Sequence, residues 1–412
     1  MGAWRWYIGG PSDMVETLFN TALARHRAGD LVQAEQLYRQ VLSQHADHAP
    51  ALHYLGLLAQ SRGELQQACD WLARATASDP ADAVCHNNFG NVLRELGRHS
   101  EALTAYRAAV QVDPGYVNAS FNLADSLLDS GDAQGAVECY RQILRLQADN
   151  VEALGGLGIA MMALDRPAQA IAIFRRAVEL RPRDPVAHYN LATAYREEQR
   201  LDAALACYRQ ALALDSSYAA AHNNVGMLLK ARGERAQALQ AFRDALRANP
   251  RHVPAHLNLV SALLDAGEPD SAAAQCREAL AIDPNHPGLL QNLGAALLEQ
   301  HRWQEAAECY ARVLALVETD IPAGIGLASA FMSMRRHDEA ERVLRTAQQV
   351  DPEHPRLHAM LGNALVARDR LDEAAAEYRA ALAVKPTAET HNGLGFVLSR
   401  QGKLDEAIAQ FR

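Results

Sequence analysis

Lysine is nearly missing from this chain: Lys230, Lys385 and Lys403 are the only lysines among 40 basic residues. Positive charge is arginine, scattered along the length, and the net charge is −9. A general nucleic-acid binder would show a basic face, so no nucleic-acid partner is expected. Aromatic residues are also few, at 6%, although 49% of the chain is apolar. Alanine dominates that apolar half, which suits closely packed helices better than sheets. No apolar run approaches the ~18 residues of a membrane span, so no membrane partner is expected. Met1 to Asp13 reads as too short and too polar for a secretory leader, so none is expected there. No zincin, P-loop or nucleophile-elbow motif occurs. The glycine-rich stretches Gly155-Gly156-Leu157-Gly158 and Gly324-Ile325-Gly326 follow no strand, which a phosphate-cradling loop requires. They are expected instead to loosen the helices that contain them.

What is present is periodicity. Units begin at Val15, Ala49, Ala83, Val117, Val151, Pro185, Ala219, Val253, Pro287, Ile321 and Pro355, an unbroken spacing of 34 residues. A twelfth begins near Ala388, one residue early, and stops at Arg412. Place 20 of the unit is always alanine, from Ala34 to Ala407, and place 8 is glycine or alanine in every unit but one, where Val260 stands. Place 24 is aromatic in Tyr38, Tyr106, Tyr140, Phe174, Tyr208, Phe242, Tyr310, Tyr378 and Phe411. Each unit reads as two amphipathic helices broken by a glycine such as Gly97 and closed by a proline near place 32. Small residues allow close helix approach, and the aromatic fills the space between successive pairs.

These places resemble those of the tetratricopeptide repeat family, over residues 15–412. The resemblance implies an all-α fold, a right-handed superhelical solenoid of about twelve antiparallel helix pairs. It also implies a concave groove lined by the first helix of each unit. A two-helix unit cannot bury its apolar face alone, so neighbouring units must share one core. Residues 1–14 lie outside the pattern and read as an N-terminal extension, a cap or a non-native leader.

Place 6 is asparagine in Asn20, Asn88, Asn122, Asn190, Asn224, Asn258 and Asn292, interrupted at Tyr54, Gly156, Gly326, Met360 and Gly393. An amide offers a donor and an acceptor, which is what an extended peptide backbone presents in return. The run His86-Asn87-Asn88-Phe89-Gly90-Asn91 is similar to the peptide-binding repeats of protein O-linked N-acetylglucosamine transferases. That resemblance implies that the seven asparagines form a peptide-binding ladder. Bonding between neighbouring units or to water is the other reading. Chaperone-binding members of the family clamp a carboxylate with a lysine at place 5; none occurs there, which disfavours that role.

Histidine recurs at place 4 in His86, His188, His222, His256, His358 and His391, one per unit, so the rings are not expected to converge on a metal. Cys139, Cys207 and Cys309 share place 23 in separate units, beyond disulfide reach. They, with Cys69, Cys85 and Cys276, read as reduced buried thiols, so a cytoplasmic location is expected. No cofactor, no metal and no catalytic residue is expected. The leading functional expectation is a non-enzymatic interaction scaffold that binds a protein or an extended peptide. The alternative is the substrate-recruiting repeat region of a larger enzyme, such as an O-GlcNAc-type glycosyltransferase or a sulfotransferase, since Arg412 falls mid-helix without a polar cap. Self-association through an exposed end is a third reading.

Overall fold

Two recurring backbone devices decide where the helices stop and start. At place 15 the chain takes a positive φ in all twelve repeats, from +55° at Asp165 to +86° at Gly131. The N–H of the following residue then bonds the carbonyl five residues back, as in Arg98 to Leu93 and Arg336 to Phe331, both at 2.8 Å. This closure satisfies carbonyls that the end of a helix would leave unpaired. At place 34 a side chain caps the next first helix except where Tyr116 and Tyr218 stand: Asp82 accepts from the Cys85 N–H at 2.9 Å and Asn150 from that of Ala153 at 2.9 Å. His48, His252, His286 and His354 cap through imidazole Nδ1. Caps of this kind are each worth about 1 kcal/mol.

The structure, a computed structural model, describes residues 11–412, with side chains from residue 14. Among the described residues there are 24 helices and no strand, running in pairs from α1 (Pro11–Arg27) and α2 (Leu31–Gln44) to α23 (Ala388–Arg400) and α24 (Leu404–Phe411). Helix α1 opens four residues ahead of Val15; residues 1–10 of the N-terminal stretch lie outside the described residues. The chain divides into two compact units, one up to Gln210 and one from Ala211.

Within each unit the two helices of a repeat pack on each other and then on the next pair, giving an all-α superhelical repeat. The alanines at place 20 are all at most 2% exposed, which is where helices approach most closely. In the first unit the core runs through Leu52, Leu72, Leu93, Tyr106, Tyr140 and Phe174. In the second, Leu344, Leu365, Tyr378 and Leu398 carry it through the last three repeats.

The small residue at place 8 is dictated by the aromatic at place 24 of the same repeat. A Cβ on Gly90 would stand 2.5 Å from the Tyr106 ring, and on Gly226 2.5 Å from Phe242. Repeat 8 supports the same reason from the other side. Its place 24 is Cys276 rather than a ring, and place 8 is the exceptional Val260, both fully buried.

Candidate functional site

The asparagine series lies on the first helices, and the structure shows what holds several of its members. The Asn88 amide meets His53 Nε2 at 2.8 Å. Asn122 donates to Asn87 Oδ1 at 2.8 Å and to Asn91 Oδ1 at 3.2 Å. Asn258 donates to Asn223 Oδ1 at 2.8 Å. In each case place 6 of one repeat bonds place 5 of the repeat before it. Asn20 is exposed and donates to Glu16 at 3.3 Å, within its own helix. Asn190 and Asn292 are half-buried, and Asn224 is buried at 6% exposure. The bonds from Asn88, Asn122 and Asn258 thus stitch neighbouring repeats, and part of each amide's hydrogen-bonding capacity is committed to that. The partners at place 5 were not singled out from the sequence; the doublets Asn87-Asn88 and Asn223-Asn224 were the available signal.

The interruptions at Gly156, Gly326 and Gly393 have a steric cause. A Cβ on Gly156 would lie 2.3 Å from the Tyr140 ring, on Gly326 2.4 Å from Tyr310, and on Gly393 2.7 Å from Tyr378. At these three joints the place-24 tyrosine of one repeat occupies the room beside place 6 of the next. Expected from the sequence to loosen the helices, Gly156 and Gly326 are points of close packing instead. These tyrosines are also anchored by their hydroxyls: Tyr140 donates to Asp125 at 2.5 Å and Tyr378 to Asn363 at 2.5 Å. Burial pushes the Tyr378 and Tyr310 phenols up to about 12, so both stay neutral and Tyr378 keeps the proton it donates to Asn363.

A hollow on the first-helix face lies in repeats 10 to 12 of the second unit. It has a volume of about 750 Å³ and is lined by Met332, Arg356, Met360, Asn363, Lys385 and Glu389, among others. A second, of about 460 Å³, adjoins it over repeats 9 to 11, with Ile325, Gly326, Ser329 and again Arg356 in its wall. Places 2, 5, 6 and 9 contribute to both walls, with glycine and methionine at place 6 in this region. Asn292 belongs to repeat 9 and lines neither hollow.

The place-4 histidines are not brought together. Five of them donate Nε2–H to a carbonyl in the linker just upstream: His86 to Pro80, His188 to Pro182, His222 to Ser216, His256 to Pro250 and His358 to Pro352, at 2.8–3.1 Å. His391 instead meets Gln410 Oε1 through Nδ1 at 2.8 Å. Each of the first five rings fastens a linker turn to the helix that follows. The six cysteines are free thiols. Burial pushes Cys139 up to about 11 and Cys276 up to about 12, which leaves neither a nucleophilic thiolate at neutral pH.

An all-α array of stacked helix pairs, with a hollowed face along its first helices, defines a repeat-type interaction scaffold. Profiles described as tetratricopeptide repeat match residues 25–87, 90–131, 121–185, 173–206, 192–233, 226–287, 263–330, 297–364 and 331–394, and the chain belongs to that family. Protein FlbA of Caulobacter vibrioides is 33% identical over 87 residues, which is 21% of this chain and 15% of that protein. Among solved structures, the APC/C hetero-tetramer Cut9-Hcn1 is similar with a TM-score of 0.48 at 16% identity, over 95% of this chain and 90% of that one. Naa15/Naa10 bound to HypK-THB gives 0.42 at 17%, over 96% and 68%. YrrB, titled a TPR protein with an unusual peptide-binding site, gives 0.37 at 25%, over 45% and 95%. Among the described residues no helix is long and apolar enough to cross a membrane.

Proposed function

We propose that the chain is a non-catalytic scaffold that holds an extended segment of a partner protein along its first-helix face, with repeats 9 to 12 as the principal seat. The adjoining hollows there carry this reading. They offer apolar contact from Met332, Met360 and Ile325, and polar groups from Ser329, Asn363, Thr387 and Thr390. Methionine adapts its shape to irregular apolar side chains. Amide and hydroxyl groups can pair with a peptide backbone without reading its sequence. Arg356 and Lys385 stand with Glu389 in the larger hollow, so the wall carries both signs of charge. The asparagines of the ladder are assigned a supporting part: Asn88, Asn122 and Asn258 hold adjacent first helices in register, and the series offers its remaining polar groups to the same segment.

Peptides selected from an array against the full chain provide the probe, and fluorescence polarisation the readout. Changing Met360 to arginine should fill the larger hollow and weaken binding at least tenfold. Unchanged affinity in that variant, with circular dichroism showing an intact fold, would refute the seat. Changing Asn88, Asn122, Asn190 and Asn224 together to alanine isolates the ladder. Retained affinity there would confine these asparagines to stitching the repeats.

A further inference from the structure

At the joint between repeats 2 and 3, three ligand-type side chains from separate parts of the chain converge. They are His53 on α3 (Ala49–Ser61), Asp82 at the cap of α5 (Ala83–Glu95), and Cys85 in the first turn of α5. One donor atom from each, an imidazole nitrogen, a carboxylate oxygen and a thiol sulfur, lies within 4.8 Å of the other two. We propose that these residues form a binding site for a divalent transition-metal ion of the zinc class, which clips α3 to the start of α5.

The local geometry is specific. Asp82 Oδ1 is spent on the cap, accepting from the Cys85 N–H at 2.9 Å, and this bond fixes the carboxylate beside the thiol. Oδ2 is turned towards His53 Nδ1 at 3.8 Å. That separation is too long for a hydrogen bond. It is close to the edge of a tetrahedron around zinc, roughly 3.3–3.7 Å for nitrogen, oxygen and sulfur ligands at their usual bond lengths. Small side-chain rotations complete the approach.

The far side of the imidazole is also provided for. Nε2 meets the Asn88 amide at 2.8 Å. With the amide turned so that its oxygen accepts Nε2–H, Nδ1 is left with its lone pair facing the carboxylate and the thiol. A metal-bound histidine ordinarily has such a partner on its other nitrogen. Sulfur, nitrogen and oxygen together suit zinc, and the sulfur argues against calcium or magnesium, which take oxygen ligands. Three protein ligands leave a fourth position for water. The Asp82 side chain, 35% exposed, provides the way in, while Cys85 is 1% exposed.

The repeat pattern makes the trio more telling. Place 3 is alanine in seven other repeats, among them Ala51, Ala119 and Ala187, so packing does not call for a thiol at Cys85. His53 is the single histidine at place 5. The sequence argued against metal from the place-4 histidines; this one belongs to another series. Burial beside Asp82 and Asp79 pushes the Cys85 thiol up to about 12, so an entering ion displaces a proton to solvent and binds the thiolate.

Cobalt(II) titrated into the chelator-treated full chain tests the site. We expect a thiolate-to-cobalt charge-transfer band in the near ultraviolet and visible bands of tetrahedral intensity, saturating at one ion per chain and displaced by zinc. Cys85→Ala installs the residue that neighbouring repeats carry and so should fold; it should abolish the charge-transfer band. Asp82→Asn keeps the cap and should weaken binding at least tenfold, as should His53→Asn. Zinc should raise the melting temperature of the natural chain and leave that of Cys85→Ala unmoved. No charge-transfer band in the natural chain, or an equal band in Cys85→Ala, would overturn the assignment.

Discussion

At the scale of single residues, Gly155 and Gly156 stand side by side in one helix and do opposite things. Nothing lies within 4 Å of a Cβ placed on Gly155, whereas one on Gly156 would stand 2.3 Å from the Tyr140 ring. Gly155→Ala should therefore stabilise the chain by about 0.5–1 kcal/mol, the helix-propensity gain over glycine. Gly156→Ala should cost about 1–3 kcal/mol, because a buried ring held at its hydroxyl by Asp125 must move. Thermal melts of the two variants check this, and equal shifts of the same sign would sink it. The same ring accounts for the break in the asparagine series at this repeat.

At the scale of the helix pair, the left-handed residue at place 15 sets the turn. Seven repeats use glycine there, and Asp165, Gln199, His301, Arg335 and Asp369 adopt the same conformation with a side chain. A side chain in that region costs about 1–2 kcal/mol in steric strain. Part of the gain on removing it is returned to the greater freedom of glycine in the unfolded chain. Gln199→Gly should accordingly raise stability by about 0.5–1 kcal/mol, read as a higher urea midpoint at constant slope. The reverse exchange, Gly97→Ala, should lower it. A Gln199→Gly variant less stable than the natural chain would show that the side chain contributes more than the turn costs it.

At the scale of the whole molecule, repeat proteins are stabilised by nearest-neighbour interfaces, so damage at one joint stays near that joint. Glu341 offers the sharpest test. Its side chain is 8% exposed and receives Arg345 at 2.9 Å from its own helix, α20 (His337–Val350). It also receives Arg370 at 2.8 Å, together with Arg368, both from the next repeat. Burial works against the charged carboxylate, but hydrogen bonds and charge from the three arginines outweigh it and hold Glu341 below the ordinary glutamate value. Glu341→Ala should cost about 3 kcal/mol, the order found when one partner of a buried ion pair is removed. Hydrogen exchange should speed up in α20 through α22 (Leu371–Val384) and remain unchanged in α3 through α6 (His99–Val112). Uniform loss of protection would contradict nearest-neighbour behaviour. Because the folded carboxyl titrates below its unfolded value, its contribution is fully present above the unfolded value and is lost as pH falls through the folded one. The gap between the natural chain and Glu341→Ala should close on acidification and stay constant above neutral pH.

The spacing alone determined the helix pairs, their joints and the family, because a period of 34 residues repeats every packing constraint twelve times over. Ala238 and Gly226 could be assigned to packing from their places, since place 20 is alanine in every repeat and place 8 is small in all but one. The direction of the asparagine bonds could not be read in that way. Whether Asn122 faces a ligand or Asn87 depends on how far one repeat is turned against the next, and that turn is set by side chains 35 positions apart. The hollows of repeats 9 to 12 and the meeting of His53, Asp82 and Cys85 were decided by tertiary structure for the same reason. A repeat fixes what each place is, and the stacking of unlike repeats fixes what each place meets.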